Sequence, residues 1–470
     1  MGRLLQSYIF PHPPVAIPEI GKNNAIRVKQ TTDACMSAAK QISEMQPTTI
    51  IVTTPHGAVF QDAVCISIQP EIEGNFVDFG CPKINYKFDN NCDLANNIIR
   101  KAKENGIEVA ELSDVLASTY GLSGKLDHGA LVPLHFIRQW AGNFKLVHIS
   151  IGLIPFEELY LFGKCIADAI EQSDDNVVFI GSGDLSHRLT RNAPAGYNPK
   201  AKDFDNSLVK HIADSNVEQI IYMDKNLIER AGECGLRSFI IMYGALDGKL
   251  LDSEVISYQA PFGVGYCVAA IKPIQPSAER QIINNIFRNR SKAIEDVRRE
   301  EDSYTALARI ALETYVNKGM VITPQQLDLP EKMLCNRAGT FVSIKKHGEL
   351  RGCIGTIAAT CSSIAEEIIN NAISAGTRDT RFVPIQSQEL EQLIYSVDVL
   401  KQPEPISSKQ QLDPTRYGVI VSKGMRKGLL LPNIEGIDTV EEQISIALKK
   451  AGIRDSETYS MQRFEVIRHK

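Results

Sequence analysis

Short, nearly continuous apolar runs alternate with longer mixed stretches over the first 275 or so residues. The runs at 8–10, 49–53, 146–151, 177–180 and 266–272 are rich in β-branched and aromatic side chains. They show little polar alternation, the pattern of strands covered on both faces. Stretches at 93–105, 156–172 and 204–212 carry the apolar period of helices packed on such strands. Strand and helix in alternation predict an α/β domain with a mostly parallel sheet.

Beyond Pro273 and Pro276 the pattern changes. Neither proline nor glycine occurs from Ser277 to Lys318, and charges of both signs interleave between Arg288 and Asp302. Opposite charges three and four apart support a solvated helix, so a charged linking helix over 276–299 is expected. An apolar stripe of Tyr304, Leu307, Ile310, Ala311 and Thr314 then opens a second domain. Residues 339–355 read as two strands joined by a turn at Lys346-His347-Gly348. A helix at 362–374, strands at 394–400 and 418–422, and a helix at 440–451 follow. The reading is an α+β domain over 300–470, so that the chain divides as 1–275, 276–299 and 300–470.

Composition adds exclusions. The chain has 470 residues, 43% hydrophobic and 23% charged, with a formal net charge of −5. These values rule out a mainly disordered or fibrous chain and give no global basic field for nucleic acid. The N-terminal MGRLLQSYIFPHPP is too short and polar for a signal peptide, and Gln6 breaks the myristoylation pattern. No apolar run reaches the ~18 residues that span a membrane. The ten cysteines contain no Cys-x-x-Cys pair and read as reduced thiols of a cytoplasmic protein.

Nine histidines are few, and three of them share one context. His12, His56 and His187 each follow an apolar strand, in Pro11-His12-Pro13, Pro55-His56-Gly57 and Gly183-Asp184-Leu185-Ser186-His187. Carboxyl ends of parallel strands lie on one edge, where ligand sites form, so these three are expected to converge on one cleft. Two histidines and a carboxylate with open positions suit non-haem Fe(II), and Glu233 in Gly232-Glu233-Cys234-Gly235 is the carboxylate candidate. His128, in Asp127-His128-Gly129, is a candidate supporting or acid/base group. His148, inside an apolar strand, reads as a core residue.

Together these motifs resemble the class III extradiol ring-cleavage dioxygenases and their Memo-like relatives over about 1–275. The resemblance implies Fe(II), or another divalent metal, held by His12, His56 and Glu233. It implies His187 as the catalytic base toward a ring hydroxyl and His128 as a catalytic histidine beside the oxygen site. In the Memo-like branch a cysteine occupies the last loop, which makes Cys234 the alternative third ligand. Leu350-Arg351-Gly352-Cys353-Ile354-Gly355-Thr356, with Thr377-Arg378-Asp379-Thr380-Arg381-Phe382, resembles the AMMECR-type domain over 300–470. There strand alternation sets Arg351 beside Cys353, where a guanidinium would favour the thiolate, with Arg378, Asp379 and Arg381 bordering that surface.

The implied activity is an Fe(II)-dependent dioxygenase-like oxidoreductase acting on a catecholic or related small ring. The alternative is a metal-binding component of a modification system associated with a radical S-adenosylmethionine protein. Expected partners are an aromatic small molecule and O2, that radical S-adenosylmethionine protein in the alternative reading, and a further copy of the chain. Neither a membrane nor nucleic acid is expected.

Overall fold

The computed structural model describes residues 1–346, 348–434 and 436–470. These form two compact units, Met1–Ile286 and Phe287–Lys470. The expected turn residue His347 lies outside the described residues.

The first unit contains strands β1 (Arg3–Phe10), β2 (Thr49–Thr54), β3 (Val64–Ser67), β4 (Glu71–Phe76), β5 (Cys81–Asp89), β6 (Val109–Leu112), β7 (Lys145–Ser150), β8 (Asn176–Ser182), β9 (Lys249–Gln259) and β10 (Tyr266–Pro276). Eight of them form one mixed sheet in the order β6-β3-β7-β2-β8-β1-β10-β9. The contiguous centre β7-β2-β8-β1 is parallel, while β10 and β9 add an antiparallel flank. β4 and β5 pair separately as an antiparallel hairpin.

The apolar runs are explained by burial on both faces. Ile9, Ile51, Val147 and Phe179 point into one core, under helices that include Cys92–Glu104, Phe156–Glu171, Ala201–Ala213 and Leu236–Gly244. Their neighbours Tyr8, Ile50, Leu146 and Val178 point into the other, under Lys29–Met45 and His128–Arg138. A period of two with apolar residues on both sides leaves no polar position to mark it. β1 begins earlier than the expected 8–10, because Arg3 to Ser7 already pair with β8.

The helix from Ile282 to Arg299 occupies the charged stretch. A new helix, Ser303–Lys318, starts because the Asp302 carboxylate accepts the Tyr304 and Thr305 N–H groups.

The second unit adds β11 (Thr340–Lys346), β12 (Glu349–Gly355), β13 (Leu393–Leu400), β14 (Glu404–Ile406), β15 (Gly418–Lys423), β16 (Arg426–Leu430), β17 (Ser460–Phe464) and β18 (Val466–His469). They make two antiparallel sheets, β12-β11-β13-β18 and β14-β17-β15-β16. Helices Ser303–Lys318 and Ile364–Thr377 share a core with the first sheet, and Val440–Ala451 with the second. This is the α+β architecture expected. Among the described residues, no helix is long and apolar enough to cross a membrane.

Candidate metal centre

β2, β8 and β1 are adjacent and parallel, so the segments leaving their carboxyl ends emerge on one edge. Pro11-His12 leaves β1, Pro55-His56 leaves β2, and Gly183 to His187 leave β8. His12 is 2% exposed, and its Nε2 lies 3.0 Å from Nε2 of His56. His128 is the third member of the cluster. Its ring centroid is 4.4 Å from that of His56 and 5.3 Å from that of His12. One ring nitrogen from each of the three falls within 4.8 Å of the others.

The hydrogen bonds around His12 set its tautomer. Ser182 Oγ donates to the Gly129 carbonyl, so it can only accept from His12 Nδ1, 3.0 Å away. That leaves His12 Nε2 with its lone pair turned toward His56. Burial lowers the pKa of His12, and the neighbouring His56 and His128 lower it further. Burial also lowers His56 and His128. Imidazoles whose charged form is disfavoured and whose ring nitrogens converge on one point suit a cation.

The two adjacent loop candidates separate. Cys234 brings Sγ to 3.6 Å from His12 Nε2. Glu233, the carboxylate expected at the metal, has Oε2 accepting the Leu236 N–H at 2.7 Å, at the start of helix Leu236–Gly244. Burial raises its pKa to about 7. Burial also pushes the Cys234 thiol well up, with Asp184 and Glu233 adding to it. A bound divalent metal would reverse that by taking the thiolate.

His187 lines the same cavity, about 410 Å³ in volume, together with His12, His56, His128 and Asp184. Its backbone N–H donates to Ala231, and burial lowers its pKa. Asp184 accepts the His12 N–H at 2.9 Å and has its pKa raised by burial to about 7. The apolar wall includes Pro14, Val15, Pro194, Phe262, Val264 and Tyr266. The loops of His187 and Cys234 are stitched together, since Asp184 O accepts from the Cys234 and Gly235 N–H groups and Ser186 Oγ donates to Ala231 O. A side chain on Gly183 would place its Cβ 2.0 Å from Gly235 Cα, so only glycine permits this approach.

His128, expected as a supporting or acid/base group, does not sit in an irregular loop. It begins helix His128–Arg138, with Asp127 as the cap. Asp-x-Gly before an apolar run was the available signal. Nothing in the Gly183-Asp184-Leu185 run marks Asp184 for its contact with the His12 N–H, which joins residues far apart in sequence.

In the second unit, Arg351 does not serve Cys353. Its guanidinium forks onto Glu389 at 3.0 and 2.9 Å and also donates to the Val383 carbonyl. Cys353 Sγ instead accepts from Ser343 Oγ at 3.2 Å, and its N–H donates to Asp379. Asp379 is chelated by Arg381, which also reaches the Cys353 carbonyl. Arg378 is exposed at the end of helix Ile364–Thr377.

A histidine cluster suited to a metal ion thus sits at the carboxyl edge of an α/β sheet. Comparison gives the family. Residues 6–269 match the catalytic LigB subunit of aromatic ring-opening dioxygenase, and residues 305–469 match AMMECR1. The chain belongs to the LigB family and carries an AMMECR1 domain after it. Protein CA_C1420 of Clostridium acetobutylicum is 42% identical over 463 residues, covering 98% of both chains. A Thermotoga maritima protein is 48% identical over 172 residues, 36% of this chain and 98% of its own. The solved structure of uncharacterized protein PH0010 from Pyrococcus horikoshii aligns with 35% of this chain and 88% of its own, at 31% identity and a TM-score of 0.33. That of uncharacterized protein JW3007 from Escherichia coli K12 aligns with 57% of this chain and 99% of its own, at 12% identity and a TM-score of 0.38.

Proposed function

We propose that the first unit is a mononuclear, non-haem metal oxidoreductase related to the extradiol dioxygenases, acting on a catecholic or similar small ring. The observation that carries this is the pair of Nε2 atoms of His12 and His56 at 3.0 Å, with Cys234 Sγ 3.6 Å from the former. His12 and His56 hold the metal, with Cys234 rather than Glu233 as third donor and His128 beside them. When bound, Fe(II) supplies a Lewis acid for an ortho-diol and the redox chemistry through which O2 reacts.

The chain's own residues do the rest. His187, kept neutral by burial, accepts a proton from a ring hydroxyl at its imidazole nitrogen. His12 Nδ1 stays committed to Ser182, which fixes the ring plane. The apolar wall packs on the faces of the ring and keeps water from it. The ten unpaired thiols fit a reducing cytoplasm.

Anaerobically purified, iron-loaded protein should consume O2 with a member of a catechol panel. Folded, iron-loaded protein that consumes none sinks the ring-cleavage reading. One observation favours a second reading: a thiol, not a carboxylate, adjoins the histidines, and a softer donor changes metal preference and redox behaviour. In that reading the domain is a Memo-like metal-binding component working with a radical S-adenosylmethionine protein. A pull-down that recovers such a protein, alongside an inert catechol panel, supports it.

A further inference from the structure

His148 lies on β7, 2% exposed, in the core expected of an apolar strand. It is not an idle core residue. Its Nε2 faces Asp127 Oδ2 at 3.2 Å, and its Nδ1 faces Ser67 Oγ on β3 at 3.0 Å. Asp127 is the point where two parts of the metal centre meet. Its Oδ1 accepts the Gly129 N–H at 2.8 Å and the Ala130 N–H at 3.3 Å, capping the helix that begins with His128. The same oxygen accepts from Thr54 Oγ1 at 2.6 Å, and Thr54 Oγ1 accepts the His56 N–H at 3.3 Å.

The donor directions form one consistent chain. The His56 N–H donates to Thr54, Thr54 donates to Asp127, and an ionised Asp127 can only accept. His148 Nε2 therefore carries the proton it shares with Asp127, and Ser67 donates to Nδ1. Burial opposes ionisation of Asp127, yet the hydrogen bonds from His148 and Thr54 hold its pKa well below the usual carboxylate range. Two glycines make room for this clamp. A Cβ on Gly129 would lie 2.4 Å from Thr54 Oγ1 and 2.8 Å from Asp127 Oδ1. A Cβ on Gly57 would lie 2.0 Å from Ser150 Oγ and 3.3 Å from Asp127 Oδ2.

We infer that His148 is a positioning residue for the metal centre: through Asp127 it fixes the strand end carrying His56 and the helix start carrying His128 in one geometry. It touches neither metal nor substrate. The inference rests on the metal-site reading above, because a geometry is worth fixing only if those rings share a ligand. Groups that orient ligating histidines are worth about ten- to a hundredfold in metal affinity.

The test uses the full-length protein, with Co(II) as probe, competed against a chromophoric chelator and followed by its visible spectrum. His148→Leu should bind Co(II) about ten- to a hundredfold more weakly, with an altered spectrum. His148→Gln, whose amide N–H can replace the Nε2 proton, should recover affinity to within about threefold of wild type. Rescue by Gln but not Leu separates positioning from simple packing. A folded His148→Leu that binds as tightly as wild type overturns the inference, as does a Gln variant no better than Leu. Should His148→Leu fail to fold, Ser67→Ala, which removes only the outer bond, is expected to weaken binding about threefold; an unchanged Kd overturns the inference. Wild-type protein that binds no metal fails at an earlier step and removes the metal-site reading itself.

Discussion

Cys234→Ala and Glu233→Gln separate the two choices for the third metal donor, and the structure sets the size of each effect. Cys234 Sγ lies 3.6 Å from His12 Nε2, whereas Glu233 Oε2 is committed to the Leu236 N–H. Structural zinc sites with four donors gain about 10–16 kcal/mol, or about 2.5–4 kcal/mol for each donor. Cys234→Ala should therefore weaken metal binding by about two to three orders of magnitude. Glu233→Gln keeps an oxygen for the Leu236 N–H and removes no proposed donor, so metal affinity should stay within about threefold of wild type.

The pH dependence gives a second reading of the same atoms. Burial raises the Cys234 thiol pKa, so metal must displace a proton, and affinity should rise about tenfold per pH unit on the acid side of that value. The ring pKa values of His12 and His56 are already lowered, so they lose little to proton competition above pH ~6.5. Cys234→Ala should flatten the pH slope. The assay is Co(II) titration at several pH values, reading both Kd and the thiolate-to-cobalt absorption band. A Glu233→Gln variant that loses affinity about a hundredfold, with Cys234→Ala unaffected, would refute the reasoning.

Three further outcomes are expected. His187→Ala should leave Co(II) affinity within about threefold of wild type and cut catechol-dependent O2 uptake by about 10²–10⁴, since on the proposed function it removes a base and no ligand. Gly352→Ala would set a Cβ 2.2 Å from the Ala375 carbonyl oxygen, which cannot rotate away, and should lower stability by about 1–3 kcal/mol in urea denaturation. An unchanged midpoint would show that strand and helix have room to spare. Asp379 is held to about 2, first by its hydrogen bonds from Arg381, against about 3.9 in an unfolded chain. A depressed carboxylate stabilises above pH ~4 and loses that contribution as pH falls toward 2, so Asp379→Asn should flatten acid unfolding in that window.

The central strands were legible because both faces are buried, which turns each into an apolar run. β9 was not: of its eleven residues only Ser257 is fully buried, Leu251, Val255 and Tyr258 are partly buried against the core, and Leu250, Asp252 and Glu254 are exposed. The hairpin of β4 and β5 escaped for the same reason: β5 is largely exposed. His12, His56 and His187 could be placed on one edge because strand ends are a topological property. Which of Glu233 and Cys234 faces inward could not be read, since neighbouring residues in an irregular turn differ only in dihedral angles that no composition encodes. The pairing of Arg351 with Glu389 joins residues far apart in sequence, so alternation along β12 alone put the guanidinium beside the wrong group.

The contact of Gly183 with Gly235 has a consequence for motion. The loop carrying His187 and the loop carrying Cys234 share backbone hydrogen bonds and, where Gly183 meets Gly235, have no side chain between them. Opening either loop alone would break those hydrogen bonds, so the two are expected to open together. In hydrogen-exchange terms the amides of His187, Cys234 and Gly235 are expected to exchange as one cooperative unit. The proton acceptor and the thiol would then enter and leave the cleft together, leaving no state in which one is present without the other.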